Sequence, residues 1–391
     1  MKVLLLGGTG GFGKQAAVQL TSDGLITEVG VASRSIEAAQ RAANEIGDKA
    51  RGVSVDIKDI ARLSSIASDF DIIVNTAGPT SEVQVPAIEA AIEAGVHYCD
   101  LAAIGKYAEI ALRLDSRAKD KGVTAIIDTG WVAISSLLAV HAARKLDDTA
   151  KISVCWLFDY TPGNYFSPVQ SLERAREFGR VETSWDIIET AGEPVMTYRD
   201  GSWMHLEPLE NPIEVIHPLG SKIIGYPSDS PSALTLPHYL QEVGTITCLL
   251  GMNPPQLMEL FIKKGQRVAA GETDWSGAAL DFFETAAANK DHWLRTPVSY
   301  PMGWWMWAVA EGQKEGRKAR YLCWPSMNLG WTNTSLIIIV LRILRGEVSQ
   351  HGVLPAEACF ELGSFIDEAS KYIPEKNRGK PMLNERFDWL V

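Results

Sequence analysis

Two stretches of the sequence carry residues whose types and spacing could do chemistry. In the first, MKVLLLGGTGGFGKQAAVQL at residues 1–20, Gly8, Gly10 and Gly13 stand at the G-x-G-x-x-G spacing between an apolar run, Val3 to Leu6, and a helical pattern. After a strand and before a helix, that spacing binds a dinucleotide. The first glycine permits a tight turn, the second lets backbone approach a pyrophosphate, and the third lets the helix pack on the strand. Gly8, Thr9, Gly10, Gly11, Phe12 and Gly13 are therefore candidate cofactor contacts, and the helix N-terminus offers N–H groups and a positive dipole end to phosphates. In the second stretch, His97-Tyr98-Cys99-Asp100, a phenol and a carboxylate two residues apart project to one face of a strand. If that face meets the reactive end of the cofactor, Asp100, helped by Tyr98, could exchange a proton or orient an amine. The alternative is a buried tyrosine and a helix-capping aspartate. His97 and Cys99 point the other way, so His97 reads as structural.

Which dinucleotide binds is decided about 20 residues past the glycines, where a carboxylate holds the ribose of NAD and an arginine accommodates the extra phosphate of NADP. The sequence there reads Ser33-Arg34-Ser35. With a guanidinium, two hydroxyls and no acid, NADP is expected ahead of NAD. Asp56 is placed to meet an adenine edge or to start the next helix. Asn75, Ala77, Gly78 and Pro79 would line the ribose and pyrophosphate, Gly78 allowing close approach and Pro79 stiffening the turn.

The elements that must position these residues alternate. Strands are expected at Val3 to Leu6, Thr27 to Ala32, Gly52 to Val55, Asp71 to Asn75, Val96 to Cys99 and Val123 to Ile127. Helices lie between them, among them Ser35 to Ile46 with a capping serine, Ile60 to Ala67, and Lys106 to Ala118. Repeated βα units mean an α/β, doubly wound parallel sheet whose ligands bind beyond the carboxyl ends of the strands. After Gly130 the character changes, because all 12 tryptophans lie from Trp131 onward. An aromatic-rich half is where a substrate pocket or subunit interface would be built. Trp131, directly after the sixth strand, could cover the nicotinamide or hold a cationic amine. The cluster Trp304, Trp305, Trp307 reads as core or subunit surface before a ligand cage.

In that second half, Ile134 to Lys145 reads as an apolar helix, Ile152 to Tyr160 as a strand, and Ser167-Pro168 as a helix start. Val195 to Leu206 and Ile213 to Ile224 read as strands, and Trp304 to Glu311 pairs with Arg317 to Trp324. A helix is expected from Pro355 to Ser370. The expected organisation is a Rossmann domain over 1–130, an α+β substrate-binding and dimerisation domain on a largely antiparallel sheet over 131–352, and a segment, 353–391, returning to the first domain.

The formal charge of −11 gives no electrostatic reason to bind nucleic acid or an anionic membrane. The five cysteines are scattered without ligand spacing and read as reduced thiols of a cytoplasmic protein, with no metal site expected. The start lacks the apolar length of a signal peptide, and Leu336 to Leu344, interrupted by Arg342, spans about half of the roughly 20 residues of a membrane helix and reads as buried. No G-x-S-x-G, HExxH, P-loop or EF-hand motif is present.

The motifs GGTGGFG (Gly7 to Gly13), NTAGP (Asn75 to Pro79), HYCD (His97 to Asp100), the Gly130 region, YPSDSPSALTLP (Tyr226 to Pro237) and RGEVSQHGVLPAE (Arg345 to Glu357) follow one another from end to end of the chain. In this order the sequence resembles the saccharopine dehydrogenase-like family, which includes saccharopine reductase, lysine 6-dehydrogenase and carboxynorspermidine dehydrogenase. The resemblance implies a nicotinamide-dependent oxidoreductase acting on carbon–nitrogen bonds of amino acids or polyamine precursors, a homodimer, and a C-terminal segment packed on the cofactor domain. It implies Tyr98 and Asp100 near the substrate, Gly130 beside the nicotinamide, and Asp229 facing the substrate. One departure stands out: where the family commonly has Pro-Gly soon after the sixth strand, this chain reads Trp131-Val132-Ala133-Ile134. That change reshapes the wall near the nicotinamide and leaves hydride chemistry possible. The expected function is hydride transfer between NADP(H) and a small-molecule imine or amine. The alternatives are reduction of a carbonyl or ring imine in specialised metabolism, and a non-catalytic NADP-binding regulator.

Overall fold

The computed structural model describes residues 1–160, 167–208, 211–290, 303–326, 330–372 and 381–390. Its first part alternates β1 (Lys2–Leu6), α1 (Gly11–Ser22), β2 (Glu28–Ser33), α2 (Ile36–Ile46), β3 (Ala50–Ser54), α3 (Ile60–Ala67), β4 (Ile72–Asn75), α4 (Thr80–Ala94), β5 (His97–Asp100), α5 (Gly105–Leu112), α6 (Asp115–Asp120) and β6 (Thr124–Ile126). β1 and β4 are buried on both faces, as unbroken apolar runs require of central parallel strands. The single helix expected over Lys106 to Ala118 is two, because Arg113 and Leu114, with ψ of −15° and −1°, tighten the chain into a turn.

α7 (Trp131–Ala143) follows, starting three residues earlier than the apolar pattern suggests. Then come β7 (Asp148–Asp159), α8 (Pro168–Phe178), β8 (Val195–Arg199), β9 (Ser202–Leu206), β10 (Ile213–Ile216), β11 (Lys222–Pro227), α9 (Pro231–Thr235), β12 (Thr245–Asn253), α10 (Gln256–Ala269), α11 (Trp275–Ala288), β13 (Trp305–Lys314) and β14 (Arg317–Pro325). Two expected strands prove to be hairpins. Val195 to Leu206 folds back at Asp200 and Gly201, both with positive φ, and Ile213 to Ile224 folds back before Lys222. β13 and β14 pair as expected, turning at Glu315 and Gly316. With β16 (Leu383–Trp389), the sheet order is β10-β11-β12-β7-β13-β14-β16, and every pair in it is antiparallel except β12 with β7.

The chain ends with α12 (Trp331–Leu344), β15 (Gly352–Leu354), α13 (Leu362–Ala369) and β16 (Leu383–Trp389). The helix expected over Pro355 to Ser370 is thus confined to α13, after a 3-10 turn at Ala356–Ala358. β15 pairs in parallel with β6, so the first sheet has seven strands in the order β15-β6-β5-β4-β1-β2-β3. α12 is buried at every position but Thr332, as its apolar run Leu336 to Leu341 requires, and among the described residues no helix is long and apolar enough to cross a membrane.

The described residues of 1–134 and 328–378 form one compact unit, and those of 135–327 and 379–391 a second. These divisions, at 134/135 and 327/328, compare with the boundaries of 130 and 352 that the sequence suggests. α12 joins the first unit by packing on α1, β4 and β5, and β16 joins the second by pairing with β14. The core of the first unit gathers Leu4, Leu6, Ile73, Tyr98, Ile127 and Val353. One face of the second sheet gathers Leu157, Leu249, Trp305, Trp307 and Leu322, so Trp305 and Trp307 are core residues.

Candidate functional site

The glycine turn between β1 and α1 is held by an N–H of Gly10 donating to the Gly7 carbonyl at 2.9 Å. Its tight-turn residue is Gly7, with φ of +74°, and not Gly8 as the G-x-G-x-x-G reading assigns. A side chain on Gly7 would also stand 2.6 Å from the Ala77 nitrogen, and one on Gly8 2.8 Å from Val31 Cγ1. On Gly13 it would collide with the Gly7 carbonyl, whereas on Gly11 it meets nothing. Gly7, Gly10 and Gly13, three residues apart, are thus the set that shapes the turn. Gly10 is the N-cap of α1 and no side chain caps this helix, which leaves its first turn facing the position where this fold holds a pyrophosphate. Thr9 and Phe12 are half-buried beside it.

At the end of β2, Ser33 is half-buried and Arg34 exposed. The Arg34 guanidinium makes no ion pair among the described residues; only its backbone is used, accepting from Ser54 Oγ at 3.2 Å. Ser35 is occupied as the cap of α2, accepting from Ala38 N at 3.2 Å and donating to Glu37 at 2.7 Å. Asp56 is exposed and accepts from Lys58 N at 3.0 Å, while the cap of α3 is Asp59.

The β4 end is tied down twice. Thr76 Oγ1 donates to the Leu6 carbonyl at 2.8 Å, and the buried Asn75 accepts from Ala77 N at 3.0 Å. Gly78 and Pro79 then lead into α4, Pro79 holding its N-cap position. Asn75 Nδ2 donates to the Tyr98 hydroxyl at 3.2 Å, and that hydroxyl donates to Asp100 Oδ2 at 3.1 Å. Gln84 Nε2 of α4 donates to the same oxygen at 2.9 Å. Asp100 Oδ1 accepts from Asp128 N at 2.7 Å and Ala102 N at 3.2 Å. Tyr98 and Asp100 do share a strand face, as period-two geometry requires, but both are buried and bonded to each other. Burial pushes the Asp100 carboxyl up from its ordinary range against the pull of its four hydrogen bonds, and raises the Tyr98 phenol.

After β6 the chain turns through Asp128, whose φ of +57° is one that aspartate tolerates better than most residues. Thr129 donates its N–H to the Asp100 carbonyl at 2.9 Å. A side chain on Gly130 would stand 3.3 Å from Leu101 Cδ2 and 3.4 Å from Thr332 Cγ2, and the Gly130 carbonyl accepts from Ser335 Oγ at 2.9 Å. Trp131 is half-buried at the start of α7. Asp229 belongs to the second unit, half-buried between β11 and α9, while Tyr98, Asp100, Gly130 and Trp131 belong to the first. Sequence reasoning missed Gly7, Gln84 and the start of α12. Gln84 had one signal, a polar residue one turn before Ile88 on what proves to be the buried face of α4.

Residues 3–126 match the family model described as the saccharopine dehydrogenase NADP binding domain, so this part of the chain is an NADP-binding domain. Apo saccharopine dehydrogenase (L-Glu forming) from Saccharomyces cerevisiae has the same fold, with a TM-score of 0.64 over 99% of both chains at 14% identity. The trans-acting enoyl reductases of Mycobacterium bovis and Mycobacterium tuberculosis are 27% identical over 152 residues. That match spans 37% of this chain and only 36% of those relatives.

Proposed function

We propose a function for what is, by its NADP-binding domain and its fold, a saccharopine dehydrogenase-like protein: an NADP(H)-dependent oxidoreductase acting on a carbon–nitrogen bond. The observation that carries the NADP(H) part of this reading is the cradle of Gly7, Gly10 and Gly13 against the β4 loop, with the unpaired Arg34 guanidinium at the end of the next strand, and the likeness to saccharopine dehydrogenase supports the carbon–nitrogen part. The residues fit the cofactor. The uncapped start of α1 would hold the pyrophosphate, Arg34 with Ser33 the 2′-phosphate, and Asn75 to Pro79 the ribose side. When bound, NADP(H) supplies the hydride.

The chain's own part is to orient the substrate and manage one proton. Tyr98 and Asp100 were expected to exchange that proton. Their burial and mutual bonding favour a positioning role instead, with Asp100 fixing the turn from Asp128 to Gly130. Trp131 is proposed to hold the cationic group of an amino acid- or polyamine-like substrate. The protein is proposed to work as a cytoplasmic homodimer.

A second reading is reduction of a polarised carbon–carbon double bond, favoured by the enoyl reductases that align over 152 residues. The test is NADPH consumption with a panel of imines formed from amino acids and aldehydes, set beside α,β-unsaturated acyl compounds and simple carbonyls. Turnover of imines, or of amines with NADP⁺, supports the first reading. Turnover of unsaturated acyl compounds alone replaces it with the second, and tight NADPH binding with no turnover makes the protein a sensor.

A further inference from the structure

Asp100 closes β5 with a side chain only 1% exposed. Each of its four hydrogen bonds comes from a donor: the N–H groups of Asp128 and Ala102, the amide of Gln84 and the hydroxyl of Tyr98. A protonated carboxyl has a hydrogen of its own to place and needs an acceptor, which the two backbone N–H groups cannot provide; with the Gln84 amide and the Tyr98 hydroxyl both donating, none remains. The donor set is that of an ionised carboxylate. Among the described residues no lysine, arginine or histidine pairs with it. The result is a fixed, fully bonded negative charge without a counter-ion, in surroundings where charges act strongly. It lies at the carboxyl ends of β4, β5 and β6, the side of the sheet on which this fold binds ligands.

NADP⁺ and NADPH share their phosphates and riboses and differ at the nicotinamide ring, which is cationic when oxidised and neutral when reduced. We infer that Asp100 is a built-in counter-charge that favours the oxidised form of the bound cofactor and so makes bound NADPH a stronger hydride donor. Asp100 does this from within the protein, as an electrostatic positioning residue. The inference rests on the NADP site of the proposed function and not on the identity of the hydride acceptor, because it concerns binding alone.

The experiment measures dissociation constants of the whole protein for NADP⁺ and for NADPH separately, without substrate. Asp100→Asn removes the charge. Gln84→Lys sets an ammonium against it, and loses no accepted bond because Gln84 Oε1 accepts none. Gln84→Met removes the same donor without changing charge. The ratio of the NADP⁺ to the NADPH constant is expected to rise roughly 3- to 30-fold in Asp100→Asn and Gln84→Lys, and to stay within about twofold in Gln84→Met. An unchanged ratio in the charge variants, or an equal shift in Gln84→Met, overturns the inference. Should Asp100→Asn not fold, the two Gln84 variants decide alone. Loss of imine turnover with these ratios intact strikes the proposed function and leaves the inference standing.

Discussion

The Asp128 N–H donates to Asp100 Oδ1 at 2.7 Å, so a residue in the left-handed region is held by the carboxylate that ends the neighbouring strand. Removing that carboxylate strands several buried donors at once. Asp100→Ala is expected to cost about 3 kcal/mol of stability, read as a lower urea midpoint, and to speed hydrogen exchange at the Asp128 amide. Wild-type exchange there in the variant would show that the turn holds itself.

Gly13→Ala puts a methyl group against the Gly7 carbonyl. The expected outcome is a loss of at least about tenfold in NADPH affinity together with lower stability, because the collision is with backbone. Gly11→Ala separates the two effects. Its new methyl meets no protein atom and sits in the first turn of α1, so thermal stability should hold or rise by up to about 1 kcal/mol. Calorimetry and NADPH titration on the pair check this.

Arg34→Ala should weaken NADPH binding about 10-fold or more while leaving NADH binding and the melting temperature unchanged, since its guanidinium has no protein partner. Ser35→Ala should instead cost about 1 kcal/mol of stability through the lost cap of α2. Equal loss of both cofactors in Arg34→Ala would remove its assignment to the 2′-phosphate.

His217 is buried against the edges of Trp305 and Trp307, and burial pushes its imidazole down to about 4. The unfolded chain takes up this proton near pH 6.5 and the folded protein only near 4. The stabilisation is therefore complete above about pH 6.5 and is lost as pH falls toward 4, amounting to ~2–3 kcal/mol. Chemical denaturation at pH 7, 5.5 and 4.5 should show this slope in the wild type and a shallower one in His217→Gln.

Arg342 of α12 meets Glu368 of α13 at 2.7 Å with both side chains nearly buried, and Arg345 reaches the same carboxylate at 2.8 Å. Burial alone would push the Glu368 carboxyl up, but the two guanidinium groups bring it below its ordinary value. Glu368→Gln should cost about 1–3 kcal/mol, because Arg342 loses its close carboxylate but keeps the Ser364 carbonyl at 2.8 Å and Glu347 at 3.8 Å. A change under about 1 kcal/mol in a denaturation curve would mean that water reaches the pair.

Much of the first unit was legible because its signals are local. An apolar run of four residues gives β1, and a serine before a helical pattern gives the cap of α2. What was not legible depends on partners distant in sequence. GGTGGFG admits two glycine registers, and only the approach of Ala77 selects Gly7. Within Val195 to Leu206 the Asp200-Gly201 pair is a hairpin-turn signal that the one-strand reading passes over. Asp100 looked like a reacting group because its donors, Gln84 and Asp128, reach it only once β5 lies between its neighbours.

The first unit takes α12 and β15 from beyond residue 327. During synthesis, β6 must therefore wait for its outer neighbour, and α1 for the helix packed along it, while residues 135–327 are made. At about 5–20 residues per second this takes on the order of tens of seconds. Throughout that interval the half that binds NADP carries an open sheet edge and an uncovered apolar flank. The cofactor cradle is thus made well before the helix and strand that support it, and in that interval β6 is open to chaperones and to mispairing in a way that the finished fold does not reveal.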